Sequence, residues 1–225
     1  MRAVVEVWCV DLLAHEPLTP DDLRDLDADE RARVDRYLVP EPARVFARTR
    51  AALRVLLGRR LGADAAAVRV GAGPHGKPFA LDAPDLHFNV SHGGSLALIA
   101  FCDLPVGVDV EAPGTLAPQP SLEEFACSPA ELAWMQAQAA PREAALLRLW
   151  TRKEAVLKAC GSGLAQPPSA IDLGPPAVSA GGVVVAGSGP VRWADLALTS
   201  RDVGTVAVNA NGVDGIDAVL RSYAP

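Results

Sequence analysis

Lys153, Glu154 and Lys158 lie within one largely apolar stretch, LWTRKEAVLKACGSGL, from Leu149 to Leu164. At about 100° per residue, Leu146, Leu149, Trp150, Val156, Leu157 and Cys160 share one arc of a helix, with Arg148, Arg152 and Ala155 opposite. Lys153 falls inside the apolar arc, while Glu154 and Lys158 sit on its edge one turn apart. Charges at the margin of a core need partners. A Glu four residues before a Lys also supports a helix by itself, by about 0.2 to 0.5 kcal/mol, and a lysine can run its stem along apolar surface. The chain has only three lysines, however, and the third, Lys77, belongs to a second motif. Gly161 and Gly163 supply a helix end, which puts the charges in the last two turns.

VGVDVE, from Val106 to Glu111, carries the other acidic groups. In a strand, Asp109 and Glu111 point to one face while Val108 and Val110 enter the core. With no Lys or Arg close in sequence, this pair is either a solvated edge or a site for a hard divalent cation. Asp109, Glu111 and Glu154 together give three carboxylates for one metal. Lys153, Lys158, His92, Lys77 and an arginine-bearing helix add cations around it, which suits an Mg2+-bound polyanion, most naturally a pyrophosphate.

The elements that must position these groups are legible in outline. Val4 to Val10 alternates as a strand. Thr19 and Asp27 open short helices, the second with a capping-box Glu30. A longer helix from about Pro42 to Leu61 has Val45, Phe46, Leu53, Leu56, Leu57 and Leu61 on one face, with Arg44 and Arg48 as one basic pair and Arg50 and Arg54 as another. Such stripes are either solvated or anion-binding. Val70 to Asp85 reads as a loop around GAGPHGKPF, where glycine-freed amides near Gly76, Lys77 and Pro78 can approach a flat or anionic ligand. It matches neither the P-loop nor the dinucleotide fingerprint. In LHFNVSHGGSLALIAF, Leu86, Phe88 and Val90 face one side of a strand and His87, Asn89 and Ser91 the other. The strand breaks at Ser-His-Gly-Gly and resumes from Ser95 to Phe101. His92 stands at a strand end beside two glycines, where a ligand can come close. Ser91 and His92 are adjacent and point apart, which favours anion binding over a hydrolase triad.

Beyond Glu111, APGTLAPQP reads as an exposed loop. Ser128, Pro129 and Glu131 make a helix start, which explains Glu131 as a cap, and the lysine-bearing helix begins after Pro141. Strands follow at Ile171 to Leu173, Val183 to Val185, Val191 to Leu198 and Thr205 to Asn209. Each half has a helix followed by strands. The expectation is an α+β fold of two pseudo-symmetric lobes, residues 1–105 and 106–225, each a mainly antiparallel sheet with packed helices.

A length of 225 residues supports a substantial core, and a net charge of −6 argues against nucleic acid as a partner. Four separated cysteines, Cys9, Cys102, Cys127 and Cys160, read as reduced core residues. With no signal peptide and no run of apolar residues long enough to span a bilayer, a cytoplasmic protein without a membrane segment is expected.

GVDVE, LWTRKEAVLKACGSGL, GKPF and FNVSHGG together resemble the Sfp-type 4'-phosphopantetheinyl transferases. The family pattern is G-[ILV]-D-x-E followed by W-x-x-K-E-[AS]-x-x-K-x-x-G-x-G-L. Gly107, Asp109, Glu111, Trp150, Lys153, Glu154, Ala155, Lys158, Gly161, Gly163 and Leu164 meet every fixed position. The resemblance covers about Arg44 to Leu173 and implies a two-lobed monomer. It implies transfer of the phosphopantetheine arm of coenzyme A to a serine of an apo acyl or peptidyl carrier protein, releasing adenosine 3',5'-bisphosphate. Asp109, Glu111 and Glu154 would hold Mg2+, with Mn2+ as the alternative ion, and Lys158 with Lys153 would neutralise the phosphates. His92, the Ser91 backbone and Arg44 or Arg48 would hold the 3'-phosphate, Gly76, Lys77 and Pro78 would cradle adenine and ribose, and Glu154 would serve as base. Two rivals remain open: a non-catalytic binding module, and another Mg2+-dependent phosphotransferase or hydrolase acting on a nucleotide.

Overall fold

The computed structural model describes residues 1–13, 17–73, 75–116, 118–137 and 142–224, without the side chain of Leu164. Pro74 and Ala117, in the two expected loops, and Pro141, at the expected helix start, lie outside the described residues.

Alternating valines make β1 (Arg2–Asp11), whose inward residues Ala3, Val5 and Val7 are buried. Capping boxes at Thr19 and Asp27 open α1 (Pro20–Arg24) and α2 (Ala28–Asp35). The long basic helix is α3 (Pro40–Leu61), closed by Gly62 in the left-handed conformation. The glycine-rich segment is not wholly loop: β2 (Val70–Ala72) and β3 (Pro78–Ala80) pair antiparallel around its turn. β4 (His87–Gly93), β5 (Leu96–Cys102) and β6 (Val106–Glu111) follow. Then come α4 (Pro120–Ala126), α5 (Pro129–Ala137) and α6 (Arg142–Cys160). The chain finishes with β7 (Ala180–Val185), β8 (Gly189–Leu196), β9 (Val203–Asn209) and β10 (Gly215–Ser222).

Two sheets result, ordered β10-β1-β5-β4 and β6-β9-β8-β7. All pairs in them are antiparallel except β1 with β10, which is parallel, so the architecture is α+β. The sheets bury Val5, Val7, Leu98 and Ala100 of one against Val106, Val108, Val206 and Val208 of the other. α3 covers the outer face of the first sheet through Leu53, Leu56 and Leu57. α6 covers that of the second, its Val156 and Leu157 packing on Val191 and Trp193. The order is therefore helix, sheet, sheet, helix, with β4 and β6 meeting at the seam. The last strand crosses back, so the first sheet uses both ends of the chain.

Two sequence expectations give way. Ile171 to Leu173 is not a strand, because the Leu173 N–H donates to Glu131 Oε1 at 2.9 Å and leaves no ladder to join. The expected polar side of α6 is buried as well, since Arg152 is fully enclosed, donating to Asp195 and the Val178 carbonyl and lying 4.5 Å from the Trp193 ring centroid. All four cysteines are free thiols, and only Cys127 is fully buried. Among the described residues, no helix is long and apolar enough to cross a membrane.

Candidate active site

Close backbone approach builds the site. A Cβ on Gly107 would lie 2.1 Å from the Ala155 carbonyl oxygen, so only glycine lets α6 settle directly on β6. A Cβ on Gly93 would lie 2.4 Å from the Val110 carbonyl oxygen, and the end of β4 reaches β6 for the same reason. Polar clasps complete the seam. Asn89 Oδ1 accepts from the Val108 N–H at 2.9 Å, and Lys77 Nζ donates to the carbonyls of Val106 and Lys158, each at 2.8 Å.

Asp109, Glu111, Glu154 and Lys158 are thereby gathered. Asp109 is 3% exposed; its Oδ1 accepts from Lys158 Nζ at 2.6 Å and from Ser91 Oγ at 2.7 Å. Glu111 accepts from the Trp150 indole N–H at 3.2 Å through Oε1 and from Thr115 Oγ at 3.3 Å through Oε2. Burial, followed by repulsion from Asp109, raises the Glu111 carboxyl above its ordinary value. Burial also raises Glu154; Lys158 opposes that shift, and Asp109 and Glu111 add to it.

Among the described residues, no three His, Cys, Asp or Glu side chains stand together as a ready-made metal-ligand group. The donor chemistry nevertheless fits a hard cation, since Asp109 Oδ2 and Glu154 Oε1 are buried oxygens that accept no hydrogen bond.

A cleft of about 660 Å³ opens beside this cluster, lined among others by Arg33, Phe46, Thr49, Arg50, Pro78 and His92. Arg33 lies 4.3 Å and Arg50 5.7 Å from the Phe46 ring centroid. Arg50 pairs with Glu30 through Nε at 3.2 Å, while its buried Nη1 has no hydrogen-bond partner. Burial lowers the His92 imidazole, and the Lys158 ammonium lowers it further. Among the described residues of the glycine-rich turn, Pro78 lines the cleft, and Gly76 forms that turn at a φ of 78°.

Other expected ligands point elsewhere. Lys153 is fully buried on the far side of α6, where it donates to Glu131 and to the carbonyls of Ala126 and Pro168. Glu131 is thus more than a cap: besides the capping bond from the Ser128 amide it accepts from Lys153 and the Leu173 amide. Arg48 is committed to Asp22 and the Leu12 carbonyl, and Arg44 lines a separate hollow with Pro17, Leu18 and Pro40. The arginines at the cleft are Arg33 of α2 and Arg50 of α3, and sequence spacing alone did not separate Arg50 from the rest of the basic stripe.

Lys77 carries a pH signature. Burial pushes its ammonium down to about 8 from 10.5, although Cys160 opposes this, and Lys158 adds repulsion. Between those values the unfolded chain holds a proton that the native protein has released, so this group adds stability as pH rises through the window. Denaturant unfolding of Lys77→Met at pH 8 and pH 10 is expected to show a smaller gain, or larger loss, over that interval than the parent protein.

Residues 105–199 match the family described as the 4'-phosphopantetheinyl transferase superfamily, and residues 21–103 match the description 4'-phosphopantetheinyl transferase, N-terminal. The chain is 34% identical to the 4'-phosphopantetheinyl transferase HetI of Nostoc sp. over 170 residues, covering 72% of this chain and 70% of that protein. It is 30% identical to the 4'-phosphopantetheinyl transferase Sfp of Bacillus subtilis over 157 residues, covering 64% and 69% respectively. A further Bacillus subtilis 4'-phosphopantetheinyl transferase is 30% identical over 145 residues, and the match spans 63% of its length.

Proposed function

Because the chain belongs to the 4'-phosphopantetheinyl transferase superfamily, we propose that it transfers the phosphopantetheine arm of coenzyme A to a serine of an apo carrier protein. The observation that carries this reading is the pair of buried, unpartnered carboxylate oxygens, Asp109 Oδ2 and Glu154 Oε1, with Lys158 bound to Asp109, beside an arginine-lined cleft. Adenosine 3',5'-bisphosphate leaves as the bond between the diphosphate's bridging oxygen and the pantetheine-side phosphorus breaks and the serine oxygen takes its place.

Asp109, Glu111 and Glu154 would hold Mg2+, which when bound would neutralise the diphosphate. Lys158 leaves Asp109 to grip a phosphate oxygen, supplying charge where it accumulates. Glu154, whose Oε1 accepts no hydrogen bond, receives the serine proton. Arg33, Arg50 and His92 hold the 3'-phosphate, and Pro78 and Phe46 flank the nucleoside. The serine comes from the partner, so no internal nucleophile needs activation. The protein acts as a cytoplasmic monomer.

A nucleotide hydrolase would release product without an acceptor. The test follows adenosine 3',5'-bisphosphate by chromatography with and without apo carrier; release in step with carrier modification supports transfer, and carrier-independent release overturns it. Arg50→Ala is expected to raise the KM for coenzyme A about 10-fold or more, from loss of a charge-assisted contact worth about 1.5 to 3 kcal/mol. The same variant should lose much of the preference for coenzyme A over 3'-dephospho-coenzyme A in steady-state kinetics.

A further inference from the structure

Ser91 supplies a hydroxyl that the transfer chemistry leaves unused. Its side chain is 7% exposed, donates to Asp109 Oδ1 at 2.7 Å, and receives Lys158 Nζ at 3.2 Å. Asp109 Oδ1 thus has two donors, while Oδ2, equally enclosed, has none. A carboxylate with one oxygen pinned cannot rotate freely about χ2, and its other oxygen keeps one direction. Ser91 stands on β4 two residues beyond Asn89, and Asp109 on β6 one residue beyond Val108, the two ends of the clasp, so the hydroxyl also carries the alignment of one lobe to the acidic cluster of the other.

We infer that Ser91 is a positioning residue for the cation, orienting Asp109 so that Oδ2 is presented to the metal. The inference rests on the reading of Asp109, Glu111 and Glu154 as the metal ligands. The two donors on Oδ1 differ in one respect. Lys158 is charged and is needed at the phosphates, so its departure would free Asp109 to turn. Ser91 is neutral, short and held by a strand, so it keeps its grip while the ammonium moves. A hydroxyl in this place also adds no positive charge beside the cation, which a second ammonium would. Outer partners of this kind typically tune metal affinity by about 10- to 100-fold.

The test is calorimetric titration of Mn2+ into the protein with coenzyme A present, for the parent, Ser91→Ala and Ser91→Thr. Ser91→Ala is expected to weaken Mn2+ binding at least 10-fold and to raise the Mg2+ concentration for half-maximal transfer similarly, with the KM for coenzyme A unchanged once Mg2+ is saturating. Ser91→Thr keeps the hydroxyl and should recover most of the affinity. A merely structural serine would lower the unfolding temperature of Ser91→Ala without moving metal affinity. Equal Mn2+ affinity in the parent and Ser91→Ala would overturn the inference while leaving the metal site intact. Failure of the parent itself to bind Mn2+ would instead overturn the metal reading, and this inference with it.

Discussion

Replacing Glu154 by glutamine is expected to lower transfer about 100- to 1,000-fold, as removal of a preorganised charged group at a reacting centre does, while making the protein more stable at neutral pH. Burial raises the carboxyl, and Asp109 and Glu111 raise it further against the pull of Lys158. The native state therefore holds a proton at pH values where the unfolded chain has lost it. Between the ordinary carboxylate value and the raised one, stability falls as pH rises, and above that window the full penalty persists. Glutamine has no charge to bury, so Glu154→Gln should lack this acidic-side slope in denaturant unfolding followed from pH 4 to 7. Added Mg2+ should stabilise the parent protein more than the variant, because only the parent retains all three carboxylates. Opposite movement of activity and stability separates this site from an ordinary core residue, whose loss lowers both.

Lys153→Met is expected to act in the other sense, lowering stability by about 3 to 5 kcal/mol and leaving the KM for coenzyme A unchanged. Lys153 and Glu131 are both fully buried and share an ion pair, and removing the ammonium strands the carboxylate in a low-dielectric interior. At roughly 2 to 4 °C per kcal/mol for a chain of this size, the unfolding temperature should fall by about 10 °C. Adding Glu131→Gln removes the stranded charge and keeps an acceptor for the Ser128 or Leu173 amide, so the double variant should recover part of the loss. If Lys153 instead contacted substrate phosphate, its replacement would raise KM with little change in unfolding temperature.

These two residues are neighbours in sequence, and their different fates mark how far sequence reasoning reaches. The alternation of side chains along a strand placed Asp109 and Glu111 on one face of β6, and local capping chemistry placed the starts at Thr19, Asp27 and Ser128, because those signals lie within a few residues of their effects. Lys153 and Lys158 have similar local surroundings, but the first finds a carboxylate 22 positions away and the second one 49 positions away, which no periodicity reports. The same holds in α3, where Arg48 is taken by Asp22 and the Leu12 carbonyl while Arg50 reaches the cleft. β10 is mostly exposed, with Ile216 its one buried residue, so it shows no alternation; its strand exists because β1 offers an open edge. The glycines of GVDVE and SHGG were visible, but their reason, a helix and a strand backbone pressed within contact distance, appears only in three dimensions.

The most direct test of the central claim is the intact mass of an apo carrier protein after incubation with this protein, coenzyme A and Mg2+, run across a panel of fatty-acid, polyketide and nonribosomal-peptide carriers. The expected result is a gain of one phosphopantetheinyl group on at least one carrier, lost when Mg2+ is chelated and lost with Glu154→Gln. Carriers that stay at their apo mass across the whole panel with a folded protein, or modification that persists undiminished in Glu154→Gln, would contradict it.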